Sequence, residues 1–102
     1  MDGHENQTPM VTEIRIQLTK EPPILAFASV TLWDAIVVHD LRVLQRRDGT
    51  IVVLMPRLPN PEGGWTTIAH PVRESTRQEI EQLVFAAYEK ERAARLTGTI
   101  SG

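Results

Sequence analysis

The sequence predicts an α+β domain: a small antiparallel sheet of four to five strands followed by one C-terminal helix. Three observations predict it. Apolar and polar residues alternate from Thr12 to Leu18 and again from Ile24 to Trp33, the period-two signature of strands with one covered face. Two β-branched runs, AIVVHDLRVL and TIVVLM, flank a polar turn carrying Asp48-Gly49 and read as a hairpin. Past Ser75 the period lengthens, and Ile80, Leu83, Val84, Ala87 and Tyr88 recur at helical spacing, giving one apolar stripe. With strands first and the helix last, an antiparallel meander with the helix laid on one face is the simplest arrangement.

Taken in order, residues 1–9 are polar and unpatterned and read as a disordered leader, with the folded unit over 10–95 and a flexible tail over 96–102. In the first strand Ile14, Ile16 and Leu18 share a side, and Glu13, Arg15 and Gln17 the other. Lys20-Glu21-Pro22-Pro23 reads as a turn, because prolines cannot donate to a ladder. The second strand places Ile24, Ala26, Ala28, Val30 and Leu32 on one face and Phe27, Ser29, Thr31 and Trp33 on the other, and Asp34 breaks it. In the hairpin's first strand, Val37, His39, Leu41 and Val43 oppose Ile36, Val38, Asp40, Arg42 and Leu44. Both faces are mixed, which fits a strand covered on both sides or one running into an interface.

The stretch PRLPNPEGG, residues 56–64, reads as a loop, since its three prolines and two glycines discourage regular structure. Trp65 to Ala69 fits a short strand ended by His70-Pro71. Ser75 with Gln78, or Thr76 with Glu79, supplies a capping-box pattern at the helix start. The helix is expected to fray after Arg95, before Gly98.

A chain of 102 residues is one domain by length. A monomer of that size buries about 60–70% of its unfolded surface, so its core is thin and an oligomer would help it. There are no cysteines, which excludes disulfides, thiolate metal sites and thiol nucleophiles and fits a reducing compartment. The longest apolar runs fall short of the roughly 20 residues of a membrane helix, and the N-terminus lacks signal-peptide regions. The expectation is a cytoplasmic protein without membrane contact.

Eleven basic and thirteen acidic residues give a formal net charge of −2, which argues against a uniformly basic nucleic-acid binder and leaves room for a local patch. Nine of the eleven basic residues lie from Arg42 onward, and nine are arginine. Arginine suits bidentate phosphate contacts, although genome composition produces the same bias. Arg46 and Arg47 stand in the hairpin turn, Arg57 opens the proline loop, and Arg73 and Arg77 flank the helix start. A helix N-terminus offers free amides and a positive dipole end to phosphate. Trp65, in the adjacent loop, either stacks on a base or fills the core. Glu74 and Glu79 beside these arginines weaken the patch.

For catalysis or metal binding the candidates are Asp34, His39, Asp40 and His70, scattered without metal-ligand spacing. Neighbours on a strand point to opposite faces, so His39 and Asp40 cannot jointly hold an ion. No Gly-rich phosphate loop or nucleophile elbow occurs; the expectation is no enzyme, no metal and no cofactor. A small hydrolase would need His39, His70 and a carboxylate around one pocket. Asp40 and Arg42, two apart on a strand, are expected to form an ion pair that fixes register, in preference to Arg42 reaching an anionic partner.

The run VVHDLRVL (residues 37–44), Met55-Pro56, Pro61-Glu62-Gly63 and IAHPV (residues 68–72) resemble the SpoVG family, the stage V sporulation protein G or septation-protein family. VTEIRI upstream, SVTLWDAIVVHD, and Ser75-Thr76-Arg77 downstream fit the same order, so the resemblance spans about residues 10–90. It implies a twisted antiparallel sheet with a C-terminal helix, a homodimer through strand pairing, here near Ala35 to Leu44, and a DNA- and RNA-binding regulator tied to septation, cell division and sporulation, with septation proteins as further partners. Carried over by position, the nucleic-acid residues are Arg57 in the loop and Arg73, Ser75, Thr76 and Arg77 at the helix, with Arg46 and Arg47 as a shifted footprint. One departure stands out. The family usually has a Lys-Arg pair where this chain has Leu58-Pro59, and an Arg where it has Thr66. Losing three phosphate contacts flattens the salt dependence of log K by roughly 2–3 units of slope. The alternative implied is a septation-associated protein-interaction module with weak or lost nucleic-acid binding.

Overall fold

The computed structural model describes residues 8–101, with side chains through Arg95; residues 1–7 of the expected leader lie outside the described part. Strands β1 (Val11–Glu21), β2 (Ile24–Leu32), β3 (Ile36–Gln45) and β4 (Ile51–Leu54) form an antiparallel sheet in the order β1-β2-β3-β4. A separate ribbon pairs β5 (Arg57–Pro59) with β6 (Trp65–Thr67), and helix α1 (Glu74–Ser101) follows. The chain is therefore α+β, an antiparallel sheet with one C-terminal helix, as its periodicities predict.

Side-chain alternation sets the two faces of the main sheet. Ala26, Ala28 and Val30 of β2, Leu41 and Val43 of β3, and Val53 of β4 are buried against Ile80, Val84 and Tyr88 of α1. Ile14, Ile16 and Leu18 of β1 pack on the same cluster. The helical stripe is narrower than its pattern suggests: positions 80, 84 and 88 are buried, whereas Leu83 remains exposed. The small side chains of Ala26 and Ala28 let α1 approach the sheet closely. The other face of the sheet, carrying Gln17, Phe27 and Arg42, is not covered by α1.

One irregularity decides what β3 presents to each face. Val30 pairs with Val38 and Ala28 with Leu41, so His39 and Asp40 together oppose a single residue, Ser29. This is a β-bulge, and Asp40 adopts φ +68° within it. Strict alternation puts His39 with Leu41 and Val43; the extra residue instead brings Val38 into line with them and leaves His39 and Asp40 exposed. A left-handed conformation costs an L-residue about 1–2 kcal/mol, least for Asp and Asn. Asp40→Gly is therefore expected to melt at or above the wild-type temperature, and Asp40→Val several degrees below it; equal melting of both variants would count against the bulge.

Three further sequence readings need correction. The stretch after Met55-Pro56 is not wholly irregular: Arg57, Leu58 and Pro59 pair with Thr67, Thr66 and Trp65. Prolines are tolerated there because a two-stranded ribbon has two open edges and needs few of its donors. Asn60 organises the tip, its Oδ1 accepting from the Glu62 and Gly64 amides at 3.0 Å each, while Gly63 takes φ +91°. At the helix, the Arg77 amide donates to the Arg73 carbonyl at 3.1 Å. Arg73 thus holds the cap position, and Ser75 and Thr76 fall inside the first turn instead of capping it. Glu74 in that turn complements the dipole. Helical backbone continues past Arg95 to Ser101.

The hairpin turn forms where Asp48-Gly49 predicts it. Gly49 sits at φ +91°, and Asp48 Oδ1 accepts from the Thr50 amide at 3.0 Å and its hydroxyl at 2.7 Å. Those hydrogen bonds hold the Asp48 carboxyl below its ordinary value of 3.8. Its contribution is present above that value and is lost as pH falls through the lower, folded-state one.

Candidate nucleic-acid interface

Strand β4 is an edge of the main sheet, so half of its backbone amides and carbonyls face outward, unclaimed by the ladder. Two adjoining open hollows, which share Val53, Leu54 and Arg77, make a trough between this edge and the first turns of α1. At one end it is lined by Arg46, Ile51, Arg77, Glu81, Gln82 and Phe85. Past Val53 and Leu54 it continues to Arg57, Thr67 and His70, with Arg77 common to both parts. Three arginines distant in sequence therefore line one surface: Arg46 from the hairpin turn, Arg57 from the ribbon and Arg77 from the helix.

Their charges are only lightly compensated. Arg77 lies 3.9 Å from Glu74 and 4.0 Å from Glu81, long contacts between side chains that remain partly exposed. Such pairs are worth at most about 1 kcal/mol, so a phosphate can compete for the guanidinium. Arg57 has its Cζ 4.6 Å from the Trp65 ring centroid, a cation–π contact that orients the guanidinium while leaving its charge intact.

The remaining predicted residues are distributed around this trough. Arg73 and Ser75 are exposed at the helix start. Thr76 faces elsewhere, into an apolar cleft of about 180 Å³ shared with Met10, Trp33, Val38, Met55 and Ile80. Arg47 is exposed in the hairpin turn and does not line the trough.

The acid-base candidates do not converge. His39 lines a groove on the uncovered face of the sheet with Arg15, Gln17, Ser29 and Asp40. His70 lies at the trough and the apolar cleft instead, its Nδ1 3.0 Å from the Pro71 carbonyl oxygen. Among the described residues no group of three His, Asp or Glu side chains is placed to hold a metal.

The expected Asp40–Arg42 ion pair is not formed among the described residues, because the bulge separates the two side chains. Arg42 lies instead with its Cζ 5.6 Å from the Phe27 ring centroid and 5.9 Å from that of Trp65. Sequence reasoning missed this role. The cross-strand pairing of Phe27 with Arg42 depends on a register that the bulge shifts, and only the aromatic on the polar face of the second strand hinted at it.

The SpoVG family model matches residues 10–90. The chain belongs to the SpoVG family. Among curated relatives, the protein named "Putative septation protein SpoVG" of Bdellovibrio bacteriovorus is 42% identical over 81 residues, covering 79% of this chain and 74% of that one. Its namesake from Alkaliphilus oremlandii is 40% identical over 81 residues, covering 78% and 86%. That from Macrococcus caseolyticus is 38% identical over 92 residues, covering 89% and 78%. Membership extends from β1 through most of α1 and includes every residue lining the trough. Among the described residues no helix is long and apolar enough to cross a membrane.

Proposed function

We propose that this SpoVG-family chain is a non-enzymatic, cytoplasmic regulator of septation, cell division and sporulation that binds DNA or RNA through the trough beside β4. The observation that carries the reading is the convergence of Arg46, Arg57 and Arg77 along one sheet edge, with Arg73 and Ser75 at the helix start beyond it. Phosphates take the guanidiniums, and the helix dipole adds to the attraction. The test is a mobility-shift titration with labelled duplex DNA and RNA at low salt. A retarded complex with either is expected; no complex with either sinks the proposal.

A second reading, a septation-associated protein-interaction module, draws on the apolar side chains around the ribbon. Leu58 and Ile68 are each 55% exposed and Val72 91%, and Leu58, Pro59 and Thr66 stand where the family resemblance places basic residues. A nuclease-insensitive protein partner recovered in pull-down, together with a blank mobility shift, favours that reading.

The proposal includes a homodimer. β4 occupies the outer edge of β3 from Arg42 to Gln45, so of the expected stretch from Ala35 to Leu44 it is Ile36 to Leu41 that keeps an open edge for pairing with a copy. Trp33, Ile36 and Val37 beside it are about half exposed, which suits burial against a second copy. Sedimentation at micromolar concentration is expected to give a dimer mass that Val37→Asp shifts to monomer. A monomeric wild type rules the dimer out.

A further inference from the structure

Resting on the nucleic-acid reading, we infer that the uncovered face of the main sheet is a platform for unpaired bases, which makes single-stranded nucleic acid the preferred ligand. The register aligns one row across the strands: Gln17 pairs with Phe27, Phe27 with Arg42, and Arg42 with Leu54. All four side chains alternate away from the buried positions beside them, so the row lies opposite α1. Trp65 of the adjoining ribbon extends it, because Arg42 Cζ lies within 6 Å of both the Phe27 and Trp65 ring centroids, at 5.6 and 5.9 Å. Arg57 joins from the other strand of the ribbon at 4.6 Å from Trp65.

Two features of this row point to a ligand. Trp65 is 51% exposed, and much of its large apolar surface stands in water on a three-residue strand. Moreover, Arg42 Nε and Arg57 Nε are both buried without a hydrogen-bond partner. An unsatisfied buried donor is costly, and native structures keep few of them. The two such side-chain atoms among the described residues belong to the two arginines held against the same indole. A phosphate that draws either guanidinium outward would give its Nε–H the partner it lacks, together with a terminal N–H, in the bidentate geometry arginine favours. A base laid on the open part of Trp65 places its own phosphates beside these arginines. A base inside a duplex has both faces stacked on its neighbours, so the platform discriminates against duplex.

The row and the trough meet at Arg57, which lines one and flanks the other. A strand crossing the platform therefore leads into the positive edge beside β4, and the two surfaces act as one path. The direction of that path is across the strands, from β2 toward the ribbon.

The test uses fluorescence anisotropy with a labelled oligodeoxythymidine and a mixed-sequence duplex, each of about twelve nucleotides or base pairs, within the range one stacking module covers. The full chain is compared with Trp65→Ala and Trp65→Phe. The platform requires that wild type prefer the single strand and that Trp65→Ala lower the ratio of single-strand to duplex affinity roughly ten- to hundredfold, the effect of losing one stacked base. Trp65→Phe, keeping a ring, should recover most of that ratio. In a Trp33→Phe background, emission from Trp65 should be quenched on adding the oligonucleotide. Binding of nucleic acid with an unchanged ratio in Trp65→Ala, and no quenching, overturns the platform while leaving the trough standing. Absence of any binding by wild type overturns both.

Discussion

Arg57→Ala combined with Arg77→Ala is expected to lower affinity for nucleic acid on the order of a hundredfold at low salt. Each arginine supplies charge-assisted hydrogen bonds of about 1.5–3 kcal/mol, and each 1.4 kcal/mol is tenfold. A second readout is stricter than the affinity itself. Removing two phosphate contacts should reduce the slope of log K against log salt by about two. The pair is chosen because both side chains line the same trough and neither is in the buried core. Circular dichroism and melting should therefore stay near wild type. If the double variant binds as tightly as wild type with the same slope, phosphate does not lie in the trough.

The largest effect on stability is expected from Leu41→Ala. Leu41 is 1% exposed and is among the largest fully buried side chains. It sits at the centre of a small cluster in which Ala26 and Ala28 already contribute little volume. A buried Leu→Ala change costs about 2–5 kcal/mol, set against a total of about 5–15 kcal/mol for a domain. At about 4–8 °C per kcal/mol, the melting temperature should fall by about 10 °C or more, measured at fixed protein concentration because a dimer would make it concentration-dependent. A drop of only a degree or two would mean that α1 and the sheet do not close over Leu41.

Both expectations rest on features of differing legibility. The faces of β1 and β2 were readable over residues 14–18 and 26–30, where period-two alternation holds and Ala26, Ala28 and Val30 are buried as their pattern requires. Register shifts at the strand ends break it, and Leu25 in place of the expected Ile24 packs on the core. The face assignment of β3 was not readable. A bulge adds one residue to one strand, and every residue beyond it changes sides; Asp40, a residue that tolerates positive φ, was the only local hint. The start of α1 shifted for a related reason. Ser75 and Thr76 match a capping pattern, yet the Arg73 carbonyl already accepts the first helical bond, and Thr76 and Ile80 both line the apolar cleft from within the helix.

Of the candidate site, the residue types were legible and their grouping was not. Arginines in the hairpin turn, the ribbon and the helix start were visible as a rising basic content after Arg42. That Arg46, Arg57 and Arg77 share a trough, while Thr76 turns from it, follows from the edge position of β4, which no local pattern states. The family resemblance located the loop and the helix start but not the route between them. The stacking of Arg42 and Arg57 on Trp65 lay further still from local signals, because it joins β3 to a ribbon that the prolines of residues 56–64 disguised as a loop.

The central claim, that this family member engages the phosphate backbone through the arginine trough, is tested most directly by an ionic-strength series. Affinity of the wild-type chain for labelled DNA and RNA is measured by anisotropy from low to physiological salt. The trough predicts measurable binding at low salt and a straight fall of log K with log salt of slope near −3, about one unit for each of Arg46, Arg57 and Arg77. Binding that does not change with salt, or no binding at the lowest salt, would contradict it.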